Sequence, residues 1–249
     1  PGTDWQETIA PDEAQRYEDA GKRFAAIQQR KSQKYGTGRT LHRKQLTAAY
    51  GTLEVLDSLP SWAAQGLFAE AHDYEVWVRL SNGGLDKAKD AMPDIRGFAF
   101  RVLGVQGDSA LGNGPARSQD FTLINQEAFA FKGSAEFVDF VEAASYGNGA
   151  LLKYIFKRYG VFGAPVQLAK MIKVAGKPFS GFATEPMFSC VPMANGPYAA
   201  RVRLVPADAN GKPEPGANKD WNADFSARLA QRALHWDLQL QPWVNETLT

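Results

Sequence analysis

The run Arg39-Thr40-Leu41-His42 leads into Arg43-Lys44, and 37 residues after the histidine Arg79 arrives within Val78-Arg79-Leu80-Ser81. Imidazole changes charge near neutrality, so it can take up a proton and return it at physiological pH. Guanidinium groups bind anions and keep their charge when partly buried. A histidine among arginines, joined by a further arginine and a serine from a later segment, therefore suits proton transfer beside an anionic ligand. Side chains alternate along a strand, which puts Val76, Val78 and Leu80 on one face and Glu75, Trp77, Arg79 and Ser81 on the other. If that second face lines a cavity, Arg79 and Ser81 meet one ligand together.

The elements that must position these groups can be read from the periodicity. Residues 1–35 are polar, with Ala14, Tyr17 and the Ala20–Ala25 stretch at helical spacing, and predict an amphipathic arm that ends at Gly36-Thr37-Gly38. Alternation then predicts strands over Gly51–Leu56, Tyr74–Ser81, Ile95–Leu103 and Asp120–Asn125. Their connections are short or rich in Gly, Asp and Pro, which favours a meander or barrel over a parallel sheet. The period changes at Ser134–Ala144, a helix stopped by Gly147-Asn148-Gly149. Two more helices, Leu151–Tyr159 and Pro165–Ala175, are expected on either side of 160–164. A strand at Ala199–Val205, a helix at Asn222–Leu234 and a strand at His235–Trp243 complete the pattern. The expected architecture is α+β, an antiparallel β-barrel with surrounding helices, in a single domain over 1–249 with no internal repeat.

Several of these residues resemble the heme catalase family. Arg39-Thr40-Leu41-His42-Arg43-Lys44, with Tyr50-Gly51-Thr52-Leu53-Glu54-Val55 behind it, is similar to that family's distal-histidine segment and the strand it enters. The spacing to Val78-Arg79-Leu80-Ser81 matches without a gap. Ile95-Arg96-Gly97-Phe98-Ala99-Phe100 resembles the family's arginine-glycine-phenylalanine strand after one deleted residue. A further ungapped similarity runs from Asp120-Phe121-Thr122-Leu123-Ile124-Asn125 through Phe129 to Phe137-Val138-Asp139-Phe140. The resemblance is good over residues 39–145 and loose elsewhere.

That resemblance implies heme b as cofactor and His42 as the acid and base that moves a proton between the oxygens of a bound peroxide. Ser81 would hold the imidazole through its other nitrogen. Asn125 is the candidate for an amide that orients the peroxide, although the family position falls one residue earlier, on Ile124. Arg39 and Arg79 would pair with the heme propionates, and Phe129 and Phe137 would pack on the porphyrin. Leu41 stands where the family carries a small aliphatic residue and its allene oxide synthase branch a threonine. The implied function is a heme-dependent peroxidase or catalase-like oxidoreductase that acts on hydrogen peroxide or organic hydroperoxides and draws on a reductant. The alternatives are a fatty-acid hydroperoxide lyase or allene oxide synthase-like enzyme, and a non-catalytic binder of an apolar ligand on the same barrel.

One departure concerns the iron itself. The family ligates it with a tyrosinate four positions after an arginine on a helix near the C-terminus, and no Arg-x-x-x-Tyr occurs in this sequence, whose last tyrosine is Tyr198. Sequence similar to Leu238–Trp243 lies well before that helix in the family. The expectation is a chain that lacks the C-terminal part of the family fold, with the metal ligand unassigned.

Composition narrows the other function classes. Twenty-eight basic residues stand against 27 acidic ones, a net charge of +1, so no global field draws the chain to nucleic acid or to an anionic membrane, and any anion must be bound locally. Cys190 is the single cysteine, which excludes an intrachain disulfide, and its flanks predict an inert core thiol. No window approaches the ~18 apolar residues of a membrane span, which predicts a soluble protein, the cytoplasm being favoured and a homo-oligomer left open. His72 is expected as a solvent-facing turn residue and His235 as a structural hydrogen bonder. There is no zinc or iron-sulfur spacing, nucleophile elbow, phosphate-binding loop or dinucleotide fingerprint.

Overall fold

Alternating β-branched and aromatic residues form the strands that the sequence predicts, to within two residues at each end, except that the first begins six residues earlier than Gly51, at Gln45. In the computed structural model, which describes residues 1–249 except 111, 113, 246, 248 and 249, β1 (Gln45–Val55), β2 (His72–Asn82), β3 (Arg96–Leu103) and β4 (Ser118–Ile124) make an antiparallel meander. Its register sets Ser81 opposite Gly97, Arg79 opposite Ala99 and Arg101 opposite Asp120. The short strands β5 (Met187–Ser189) and β6 (Met193–Asn195), which the alternation does not predict, both pair with β7 (Tyr198–Pro206); β7 also pairs with β8 (Trp236–Pro242).

The core occupies one face of this sheet. Leu80 from β2, Phe98, Phe100 and Val102 from β3, and Phe121 and Leu123 from β4 are all buried there. Each follows its neighbour by two residues, the spacing that keeps side chains on one face. Phe100 and Phe121 lie directly opposite each other and stack, with ring centroids 4.8 Å apart and planes 13° from parallel. Burying a phenylalanine of this kind contributes about 1.5–3 kcal/mol. Trp77, Arg79, Ser81 and Arg101 point to the opposite face.

The barrel expected from the sequence does not close. The eight strands run in the order β1-β2-β3-β4-β5-β7-β6 with β8 on β7, and among the described residues β1 pairs only with β2. Helix α4 (Trp221–Gln231) packs against β1, and its Phe225 stacks on Trp236 of β8 at 6.2 Å. Side chains of α4, rather than ladder hydrogen bonds, therefore fill the space between the sheet's two ends.

Three further helices, α1 (Glu13–Tyr35), α2 (Ser134–Ser145) and α3 (Asn148–Ala175), complete the chain. Arg23 of α1 pairs with Glu142 and Asp139 of α2, and Arg30 reaches Ser145 and lies over the Tyr146 ring. α3 joins the two helices expected on either side of 160–164, and the only non-helical residue within it is Gly160, at φ 68°. A side chain there would be strained, so glycine supplies the kink. The residues before α1 are tied to the far end of the chain, since Trp5 Nε1 donates to the Pro197 carbonyl and Gly2 N–H to that of Trp243.

Candidate functional site

The loop that carries His42 is held by the end of α1. Arg43, which the sequence shows only as one more cation in a basic run, is 4 % exposed. Its guanidinium donates to the carbonyls of Arg39 (2.5 Å) and Gly36 (2.9 Å) and to Ser32 Oγ (2.8 Å). Thr40 Oγ1 donates to the Phe24 carbonyl, and Gln28 Nε2 to that of Gly38. These bonds fix the turn in which His42 adopts φ 50°, a left-handed conformation that few residues other than glycine take. The His42 N–H donates to Gly83, beyond the end of β2, so the loop is pinned to the sheet as well.

The ring itself meets Ser81, with Nδ1 and Oγ 3.0 Å apart. Arg79 Nη1 approaches the same oxygen at 3.4 Å. A hydroxyl oxygen has two lone pairs and can accept from both groups at once. In the tautomer with the proton on Nδ1, Nε2 is left bare and able to act as a base. Ser81 is 1 % exposed, and a fixed, buried partner of this kind sets the orientation of the ring.

Gly97 completes the seat. A Cβ at this position would stand 2.5 Å from His42 Nδ1, 2.6 Å from Cε1 and 2.9 Å from Ser81 Oγ. The imidazole thus lies directly on the backbone of β3, where only glycine leaves room. The sequence shows Gly97 within the Arg-Gly-Phe strand but gives no reason for it; the reason is the ring above it.

Electrostatics keep the imidazole neutral. Burial, then the charges of Arg79 and Arg39, lower the His42 pKa from 6.5 to about 4. Arg79 is itself held below its ordinary value, by burial first and then by Arg39, with Asp120 opposing. Asp120 is already engaged, since Arg101 donates to it twice, at 2.6 and 2.7 Å. Neither Arg39 nor Arg79 has an ion-pair partner among the described residues. The site therefore presents a neutral histidine beside two guanidinium groups that call for an anion.

The other expected residues fall differently. Arg39 is exposed on the loop but close enough to act on both His42 and Arg79. Asn125 is 2 % exposed at the end of β4; its Oδ1 accepts from Arg96 N–H at 2.8 Å, next to Gly97, and its Nδ2 is buried with no partner. Phe129 and Phe137 belong to an aromatic cluster with Phe24, Phe131 and Phe140, at centroid distances of 5.0–6.3 Å. That cluster connects to the histidine loop through Thr40 and Phe24. His72 is exposed beside Tyr74, and His235 contributes its backbone, to Asn210, rather than its ring. Cys190 is half-buried, and burial pushes its thiol pKa up.

Behind the site lies a polar network without a sequence signal of its own. Asp90, 2 % exposed, accepts from Lys44, Asn82 Nδ2 (2.9 Å) and Trp221 N–H (2.7 Å). Arg96 donates to Asn82 Oδ1 and to the Asp90 and Met92 carbonyls at 2.6–2.9 Å. It fixes the strand residue that precedes Gly97. Among the described residues there is no cluster of three or more histidines, cysteines or carboxylates that could hold a metal ion.

The chain matches no protein-family model and no curated protein. Solved structures do resemble it. A fungal catalase superposes with a TM-score of 0.61 at 18 % identity, over 84 % of this chain and 44 % of that one. A bacterial catalase gives 0.57 at 17 % identity, over 82 % and 41 %. The chain spans less than half the length of either. At this identity the likeness is one of fold alone.

Proposed function

We propose that this chain takes part in heme-dependent turnover of hydrogen peroxide or organic hydroperoxides, as a peroxidase or catalase-like oxidoreductase fed by a reductant. The observation that carries the reading is the neutral His42 imidazole, engaged at Nδ1 by Ser81 and set beside Arg79 and Arg39, which have no carboxylate partner among the described residues. Heme b carries two carboxylates and, when bound, supplies an iron that promotes cleavage of the O–O bond. In this reading Arg39 and Arg79 hold the propionates, and Phe129 and Phe137 pack on the ring. His42 Nε2 takes the proton from one peroxide oxygen and gives it to the other as that oxygen leaves. Asn125 Nδ2, a buried donor without a partner among the described residues, supports a role in orienting the peroxide. Arg39 and Arg79 would fit the carboxylates of the group, and no residue of this chain is assigned as a ligand to its iron.

Adding ferric heme to the purified protein tests this. The expected result is a Soret band that is weaker in Arg79→Ala, and a His42→Ala variant that keeps heme while peroxide turnover falls by roughly 10²- to 10⁴-fold. Unchanged turnover in His42→Ala, or a folded protein that stays colourless with heme, overturns it.

A further inference from the structure

α3 is apolar on the side that faces solvent. After the Gly160 kink, positions 161, 162, 165, 166, 169, 170, 172 and 173 are all exposed, whereas 163, 164, 167, 168, 171, 174 and 175 are buried or half-buried. At about 100° per residue these sets occupy opposite halves of the helix. The inner half packs on the protein, so the outer half should be polar. Instead it presents Val161, Phe162, Val166 and Ile172, and Phe162 is 94 % exposed. Leu152 and Phe156, before the kink, are exposed as well.

Charge on the same segment has one sign. From 143 to 184 the sequence holds six basic residues and no acidic one. The rest of the chain carries the other 22 basic residues against all 27 acidic ones. Lys153, Lys157, Lys170 and Lys173 are exposed and have no ion-pair or hydrogen-bond partner among the described residues. Lys170 stands at the edge of the exposed apolar half and Lys173 within it, between Phe162 and Val166.

We propose that the outer face of α3 docks on an anionic phospholipid surface. Phe162, Val161, Val166 and Ile172 would enter the boundary between headgroups and acyl chains, with the lysines reaching the phosphates around them. Charge complementarity selects this occupant over a second copy of the chain: a two-fold contact would press lysines of one sign against each other with no carboxylate to answer them. The helix lies on the membrane rather than through it, since no helix among the described residues is long and apolar enough to cross one. The inference does not depend on the peroxide reading.

Co-sedimentation of the purified chain with phosphatidylcholine vesicles, with and without about 30 % phosphatidylserine, tests it. Binding is expected only to the anionic vesicles, and it is lost in high salt. The double variant Lys170→Glu/Lys173→Glu, and separately Phe162→Ser, should each weaken it by about tenfold or more. These positions are exposed, and circular dichroism confirms that the variants remain folded. Equal binding to neutral vesicles, or none to anionic vesicles at low salt, overturns the proposal. So does self-association of the wild type in sedimentation velocity that both variants abolish, because the face would then belong to a second copy.

Discussion

Ser81 Oγ lies 3.0 Å from His42 Nδ1, and the two side chains arrive from opposite sides of the β1 strand in sequence, one from the loop before it and one from the end of β2. Gly97 on β3 supplies the floor beneath both. Three chain segments thus fix one ring, and each can be disturbed separately.

Gly97→Ala forces a methyl group to within 2.5 Å of the imidazole. Strand backbone cannot yield easily, so the histidine loop must move, at about 1–3 kcal/mol of stability. Urea denaturation should show the lowered midpoint, and the His42 proton resonances should shift while the spectrum of the opposite, apolar face stays intact. An alanine variant with unaltered histidine resonances would mean that the ring does not rest on β3.

His42 should stay neutral far below the usual histidine range. Its pKa is about 4 in the folded chain against 6.5 ordinarily, so between those values the unfolded chain binds the extra proton. Stability therefore rises with pH across this window, and is lost as pH falls from 6.5 to about 4, by about 3 kcal/mol at most. A His42→Gln variant should lack that part of the acid sensitivity. Direct proton NMR titration of the ring gives the midpoint, and a value near 6.5 would contradict the burial and arginine effects.

Ser81→Ala leaves the imidazole without its partner at Nδ1. The cost in stability should stay near 1–2 kcal/mol, as for a lost buried hydrogen bond. If the peroxide reading holds, turnover should fall by about 10- to 100-fold with heme affinity little changed. Ser81→Thr, which keeps the hydroxyl, should recover part of the loss.

Asp90→Ala removes the acceptor shared by Lys44, Asn82 and the Trp221 N–H. It leaves the Lys44 ammonium without its ion-pair partner and the Asn82 amide and Trp221 N–H without an acceptor, so about 3–5 kcal/mol of stability should go, whereas Asp90→Asn keeps an oxygen for Trp221 and costs less. Burial alone would raise the pKa of Asp90, but hydrogen bonds from Lys44, the Trp221 backbone and Asn82 outweigh it and hold the pKa below 3.8. Its contribution is thus present above the ordinary carboxylate range and lost below it, a separate step from the His42 window. Thermal melts from pH 7 to 3 resolve the two.

Sequence by itself determined the strands of the meander, the helices at 134–145 and 221–231 to within a few residues, and the sharing of one face by Arg79 and Ser81. Those follow from local periodicity, since a strand's alternation is written in consecutive residues. It also pointed to His42, because an unusual residue type stands in an unusual setting. Tertiary structure alone decided what no local pattern encodes. Closure of the sheet depends on whether β8 meets β1, and α4 occupies that space. No local pattern marks Arg43 or Arg96 for burial, yet both are buried because carbonyls and amides from other segments converge on them. Phe129 and Phe137 joined the aromatic cluster between α1 and α2, whose packing is a matter of helix placement. Gly97 needs no side chain because of a ring 55 positions earlier in the chain, and only the register of three strands brings the two together.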